Sequence, residues 1–272
     1  MKNVNLKFQH VPVAILCGGR TVTIGQSPSN PCNKALVRVN GKPLFWWIML
    51  HYARYGATEF LLATGLQGDR FDPALLELGA KAKSDEARNY EISIGNSKCS
   101  VRLVPTRPDA GTAERLLECK PWLSNSAHFA LTYSDTLSTI DLNEEMKFHE
   151  NSNLVATLVA IPPPVRFRIL GMRQGESLVR AFAPRPVVES SRINGGFYLF
   201  SSAIWESRYG IDDGGALEET PLEQLAGAGQ LAAYEAERPC LWHYCDADRD
   251  LETLRAIAEK LNQYTENSAN LD

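Results

Sequence analysis

The chain has 272 residues, 44% of them hydrophobic, and a formal net charge of −4. That length can bury a substantial core in one large domain, while the negative balance excludes a nucleic-acid surface, which needs clustered Lys and Arg. The opening MKNVNLKFQH has no apolar core of signal-peptide length and no later run approaches the ~18 apolar residues of a membrane span, so a soluble, cytoplasmic protein is expected.

In chain order, an apolar strand spans Val11–Cys17 and breaks at Gly18 and Gly19. A small-residue loop carrying Arg20 leads to Lys34, and ALVRVNGKP reads as a second strand and turn. Then come a helix over Leu44–Tyr55, a strand over Glu59–Thr64, a short helix over Asp72–Leu78 and a strand over Val101–Pro105. A helix over Thr112–Cys119, a strand over His128–Tyr133, a helix over Leu142–Glu150 and a strand over Val155–Ile161 continue the alternation. This is the rhythm of right-handed βαβ units in a mostly parallel sheet, whose ligands sit at the carboxyl ends of the strands.

Beyond Pro162–Pro164 the rhythm changes. Ile169–Met172, Leu178–Ala183 and the apolar run Gly196–Phe200 read as hairpins inserted beside the main sheet. A last helix over Asp248–Leu261 precedes the polar tail TENSANLD, which is expected to fray. Six cysteines without CxxC spacing read as reduced thiols, and five scattered histidines without HxxxH or HExxH argue against a zinc site.

Four constellations can carry chemistry. Gly18 and Gly19 let a polyanion approach bare backbone N–H groups, although a glycine pair after a strand is also an ordinary βα turn. The loop is neither GxxxxGK[ST] nor GxGxxG. Asp135 follows the strand in ALTYSDT, where a carboxylate can hold Mg²⁺ against phosphate oxygens or cap a turn. Asp246, Asp248 and Asp250 lead into the last helix, where acidic residues also complement the helix N-terminus; Asp246 ends a strand-like run and is the expected metal ligand. Arg185 in AFAPRP can clamp a phosphate or stand on the surface, and Asn194, Gly195 and Gly196 in SRINGGFYLF offer an amide and close backbone approach, or a plain hairpin turn.

The segments LCGG, NKALVRVNGKPLFWWIMLHYARYG, TGLQGD, LVPTRPDAGTAERL, TYSDT, RINGGFYLF and ETPLEQLAGAGQLAAYE occur in an order that resembles the sugar-phosphate nucleotidylyltransferases. The resemblance is closest to the glucose-1-phosphate cytidylyltransferase branch and runs from about Val11 to about Leu261. LCGG stands for the family's LAGG, LVPTRPDAGTAERL aligns without gaps to the segment ending TGGRL, TYSDT resembles the YGDG metal motif, and RINGGFYLF is very close to INGGF.

The resemblance implies a Rossmann-like α/β nucleotidyltransferase fold, a mixed, mostly parallel sheet with a small inserted β portion for the acceptor. It divides the chain into a nucleotide-binding α/β portion over 1–164, an acceptor-binding β portion and return to the sheet over 165–247, and a C-terminal helix and tail over 248–272. The implied reaction joins a nucleoside monophosphate from CTP, or another NTP, to a phosphorylated small-molecule acceptor and releases pyrophosphate. Mg²⁺ on Asp135 and Asp246 grips the α-phosphate, Lys34 stabilises the transferring group, and Arg185 holds the acceptor phosphate beside Asn194 and Gly195. Backbone at Leu16, Cys17, Gly18 and Gly19 and the Gly111–Thr112 turn hold the nucleotide. No nucleic acid and no membrane are implied, and a homo-oligomer is left open.

The chain also departs from the family. GGRTVTI replaces GGxGTRL, so the expected arginine falls near Thr23 and Arg20 lies early: either Arg20 reaches the triphosphate from another angle, or pyrophosphate departure is weakly assisted. PRP at Pro184–Pro186 replaces EKP, keeping a cation but losing a hydroxyl-binding carboxylate, and Arg168 stands where glycine is expected. Both changes point away from plain glucose 1-phosphate, towards an acceptor with a second anionic group. Two alternatives stand beside this reading: a degenerate nucleotide-binding regulatory protein, and the same reaction with UTP, dTTP or GTP.

Overall fold

The computed structural model describes residues 7–19, 21–22, 31–83, 87–163, 169–171, 181–183, 191–236 and 240–269. A nine-stranded sheet forms its frame. In chain order the strands are β1 (Val13–Cys17), β2 (Glu59–Thr64), β3 (Lys81–Ala82), β4 (Asn89–Ile94), β5 (Ser97–Pro105), β6 (His128–Tyr133), β7 (Ala156–Ile161), β8 (Ile193–Ser201) and β9 (Leu231–Tyr234). They lie side by side as β9-β7-β8-β6-β1-β2-β5-β4-β3, and β4 and β8 run against the rest. The helices are α1 (Leu44–Ala53), α2 (Phe71–Glu77), α3 (Thr112–Leu123), α4 (Leu142–Ser152), α5 (Thr220–Gly227) and α6 (Leu251–Ala269).

β1 holds the centre because both of its faces are apolar. Val13, Ile15 and Cys17 enter one apolar layer with α1 and α6, while Ala14 and Leu16 enter the other with α3. α1 reads LFWWIMLHYA and is buried along its whole length, as an apolar helix without a polar face requires. α6 instead buries the stripe Leu254, Ile257, Ala258 and Leu261. The NGKP turn forms as a tight hairpin, Arg38–Val39 against Lys42–Pro43, with Asn40 and Gly41 at positive φ.

Two expectations are corrected. The Gly196–Phe200 run is not a hairpin beside the sheet: it lies inside β8, between β6 and β7. Phe197 and Leu199 face one apolar layer and Tyr198 and Phe200 the other, so burial on both sides produces the unbroken apolar run. Ile169–Gly171 and Ala181–Ala183 do pair as a separate ribbon; Met172 and residues 178–180 of the two expected segments lie outside the described residues. The polar tail does not fray at its start, because α6 continues to Ala269. TENSA contains neither Gly nor Pro, so nothing in it interrupts the helical hydrogen bonds.

Two titratable groups are sealed into this core. His51 on α1 is 2% exposed and Glu145 on α4 is 1% exposed, and neither His51 ring nitrogen nor Glu145 Oε1 has a hydrogen-bond partner among the described residues. Burial pulls His51 down to about 3 and pushes Glu145 up to about 8. Glu145 binds its proton more tightly folded than unfolded, so its contribution to stability is complete in acid and is lost as pH rises from about 4.5 to about 8. His51 acts in the opposite sense, and its contribution is lost as pH falls from 6.5 to about 3. Glu145→Gln should therefore gain on wild type by up to about 1.4 kcal/mol per pH unit across the Glu145 window. Urea midpoints at pH 5, 6.5 and 8 measure this, and parallel curves for the two proteins would exclude Glu145 as the source.

Candidate active site

The carboxyl ends of β1, β2, β5 and β6 meet at one edge of the sheet, and so does the start of β8, which runs the other way. Lys34 reaches this edge from a short 3-10 turn, Lys34–Leu36. Asn33 fixes that turn from a fully enclosed position. Its Nδ2 donates to the carbonyls of Cys17 at 2.7 Å and Leu66 at 2.8 Å, and its Oδ1 accepts from Ala35 N at 2.9 Å.

Lys34 Nζ lies 3.1 Å from Asp135 Oδ2 and 3.3 Å from Asp246 Oδ1. Burial draws the ammonium pKa down, but the two carboxylates more than offset this and leave it above the ordinary lysine value. The aspartates meet through a small antiparallel ribbon, Thr136–Ser138 against Trp242–Tyr244. Cys245 N donates to the Asp135 carbonyl at 2.7 Å, which leaves Asp246 beside Asp135.

The three aspartates before α6 divide their work. Asp250 is 4% exposed, and its Oδ2 accepts from the backbone N–H groups of Asp246 and Ala247, each at 2.8 Å, while Oδ1 lies 3.1 Å from His243 Nε2. Burial pushes this carboxyl up, yet the two N–H donors and His243 outweigh it and hold it below the usual carboxylate value. Asp250 thus braces the chain at Asp246, whose own side chain turns to Lys34. Asp248 is exposed.

Among the described residues no three His, Cys, Asp or Glu side chains gather into a protein-only metal cage. Two convergent carboxylates nevertheless match the chemistry of Mg²⁺, which is commonly held by one or two carboxylates together with substrate phosphates. The residues present fit such an ion.

A cleft of about 460 Å³ opens at this edge, with Leu16, Gly19, Lys34, Gly111, Thr112 and Asp135 in its wall. Asn33, Arg115, Tyr133 and Glu218, which the sequence reading did not assign, line it as well. Arg115 on α3 is 3% exposed and lies under the glycine loop. Its Nη2 donates to the carbonyls of Gly18 at 2.9 Å and Pro108 at 3.2 Å, and Nη1 donates to Thr106 Oγ1. A Cβ at Gly18 would stand 1.8 Å from Arg115 Nη1, and one at Gly65 2.4 Å from the same atom. Burial lowers the guanidinium pKa, opposed first by Glu114. Glu114 itself pairs with Arg107, while Thr106, Gly18 and Pro108, which accept from Arg115, are neutral. At Gly111 a Cβ would stand 1.9 Å from the Gly215 carbonyl oxygen, so this turn is docked on backbone.

Cys17 is fully buried and its thiol is pushed up by burial. The close approaches at Gly195 and Gly196 are to the protein itself. A Cβ on Gly195 would stand 2.8 Å from Ile161 Cγ1, and one on Gly196, at φ +77°, 2.8 Å from Tyr133 Cδ2. Asn194 reaches the cleft wall indirectly, donating to Tyr198, whose hydroxyl lies 2.8 Å from that of Tyr133. Arg20, Arg168 and Arg185 lie outside the described residues. The signal for Arg115 was present in the sequence, as the arginine of GTAERL opposite that of TGGRL; Glu218 carried none beyond its place before the Pro-Leu helix start.

No protein-family profile matches the chain. It is similar to the glucose-1-phosphate cytidylyltransferase of Salmonella typhimurium, with 30% identity over 233 residues, 84% of this chain and 88% of that protein. It is also similar to a Bacillus subtilis protein described as a probable glucose-1-phosphate cytidylyltransferase, with 30% identity over 225 residues, 81% of this chain and 86% of that one. Among solved structures, HddC from Yersinia pseudotuberculosis superposes with a TM-score of 0.62 at 18% identity, over 92% of this chain and 99% of HddC, which speaks for the shared Rossmann-like fold. The two matches at 30% identity over most of both chains mean that the chain belongs to the sugar-phosphate nucleotidylyltransferases, in the glucose-1-phosphate cytidylyltransferase branch.

Proposed function

We propose that this protein transfers CMP from CTP to a sugar 1-phosphate and releases pyrophosphate. The observation that carries the reading is the convergence of Lys34, Asp135 and Asp246 at the ligand-bearing edge of the sheet. Such a transfer needs no general base, because the acceptor phosphate is already anionic. Its oxygen attacks the α-phosphorus, the bond to the departing pyrophosphate breaks, and catalysis consists of positioning and charge neutralisation.

In this reading the nucleotide lies along the backbone of Leu16–Gly19 and against the Gly111–Thr112 turn. The buried Arg115 cation behind Gly18 favours a polyanion there. Lys34 exchanges its carboxylate partners for oxygens of the transferring phosphoryl group. Asp135 and Asp246 would hold Mg²⁺, which supplies neutralisation of phosphate charge. Arg185 takes the acceptor phosphate, and Arg20 the triphosphate, in the roles the family resemblance gives them.

Asp135→Asn and Asp246→Asn should each lower turnover by ~10² or more, since each removes charge facing the reacting phosphate. Pyrophosphate release followed across a Mg²⁺ titration measures this; full activity in either variant, with metal still required, removes that residue from the site. Calorimetric titration should show CTP binding more tightly than UTP or GTP. Gly18→Ala should weaken it, because the added methyl collides with Arg115. Equal or weaker binding of CTP would overturn the choice of CTP and favour the same reaction with another NTP.

A further inference from the structure

One carboxylate in the cleft wall stands outside the Lys34 cluster. Glu218 is exposed just before α5. Its Oε2 accepts from Thr112 Oγ1 at 2.7 Å and its Oε1 accepts from the Tyr133 hydroxyl. The Tyr133 and Tyr198 hydroxyls are 2.8 Å apart, and Tyr198 accepts from Asn194 Nδ2. The Glu218 carboxylate can only accept, so the single Tyr133 hydroxyl proton goes to it and Tyr198 must donate to Tyr133, which fixes the direction of the chain: Asn194 Nδ2 to Tyr198, Tyr198 to Tyr133, Tyr133 to Glu218. Burial raises both phenols, which keeps their protons in place. Every proton in the relay points at Glu218, and Thr112 adds another from the opposite side.

A carboxylate has about four acceptor positions, and these partners occupy two. What remains can take only hydrogen-bond donors, and it repels phosphate. A sugar phosphate has one anionic end and one end rich in hydroxyls. With Lys34 attracting the first, Glu218 suits the second.

We propose that Glu218 is a specificity-determining residue that accepts hydrogen bonds from the sugar hydroxyls of the acceptor and so orients its phosphate towards Lys34. This rests on the sugar-phosphate transfer proposed above. It gives the acceptor a neutral, hydroxylated body at this end of the cleft, in place of the second anionic group expected from Arg168 and Pro184–Pro186, which lie outside the described residues.

The test is steady-state pyrophosphate release with CTP and glucose 1-phosphate, its monodeoxy analogues and glucuronic acid 1-phosphate, in wild type, Glu218→Gln and Glu218→Ala. In wild type at least one deoxy analogue should lose about tenfold or more in kcat/KM, the usual penalty for leaving a charged acceptor unpaired. In Glu218→Ala the KM for glucose 1-phosphate should rise by a similar factor with the KM for CTP unchanged. The deoxy penalty should vanish and the acidic sugar should gain, with Glu218→Gln falling between. Deoxy penalties that survive in Glu218→Ala, or a rise in the KM for CTP instead, would overturn the assignment while leaving the transfer reaction intact. A wild type that turns over none of these sugar phosphates would overturn the transfer reading and this assignment with it.

Discussion

A short antiparallel register holds the site together. Thr136 opposes Tyr244 and Ser138 opposes Trp242, which brings Asp135 and Asp246 to one place from strand ends far apart in the chain. A slip of one residue would turn the Asp246 side chain to the other face of the ribbon and leave Lys34 with one partner. Asp250 guards against that by fixing the amides of Asp246 and Ala247. Two carboxylates held so close repel each other, and the Lys34 ammonium between them offsets the repulsion until a ligand replaces it.

The second constraint is steric. Gly18 and Gly65 carry no side chain because the Arg115 guanidinium fills the space where a Cβ would be, and Gly111 carries none because the Gly215 carbonyl is there. Glycine therefore serves packing as much as ligand approach in this fold. The loop that faces the cleft is backed by a buried cation whose hydrogen bonds to Gly18, Pro108 and Thr106 are all to uncharged acceptors.

The sequence disclosed most where one local pattern had one physical meaning. Glu59–Thr64 and His128–Tyr133 were legible to the residue because short apolar runs flanked by turns suit interior strands. Asp135 and Asp246 were legible through their places at strand ends and Lys34 through its place between the glycine loop and the ALVRVNGKP turn, and the structure brings the three together. Gly196–Phe200 was misplaced because an apolar run records that a strand is buried on both faces and says nothing about its neighbours. The β4 strand, Asn89–Ile94, went unread, although its Gly95–Asn96 turn is a hairpin signal. Glu218 was beyond local reading, and for Asp250 local reading reached a place at the helix start but not its hold on Asp246. An exposed glutamate before a helix and an aspartate near a helix start have ordinary explanations, and only the spatial arrangement of Tyr133, Thr112 and His243 gives them others.

The reversed course of β8 has an evolutionary consequence. β7 leaves the sheet at Ile161 and β8 enters it at Ile193, and these two residues are direct neighbours in the ladder. The chain therefore departs after β7 and returns at β8 at the same end of two adjacent strands. An intervening stretch anchored this way is a cassette. Its length and composition can drift, or be exchanged wholesale, while the nine-stranded frame and the Lys34 cluster keep their register.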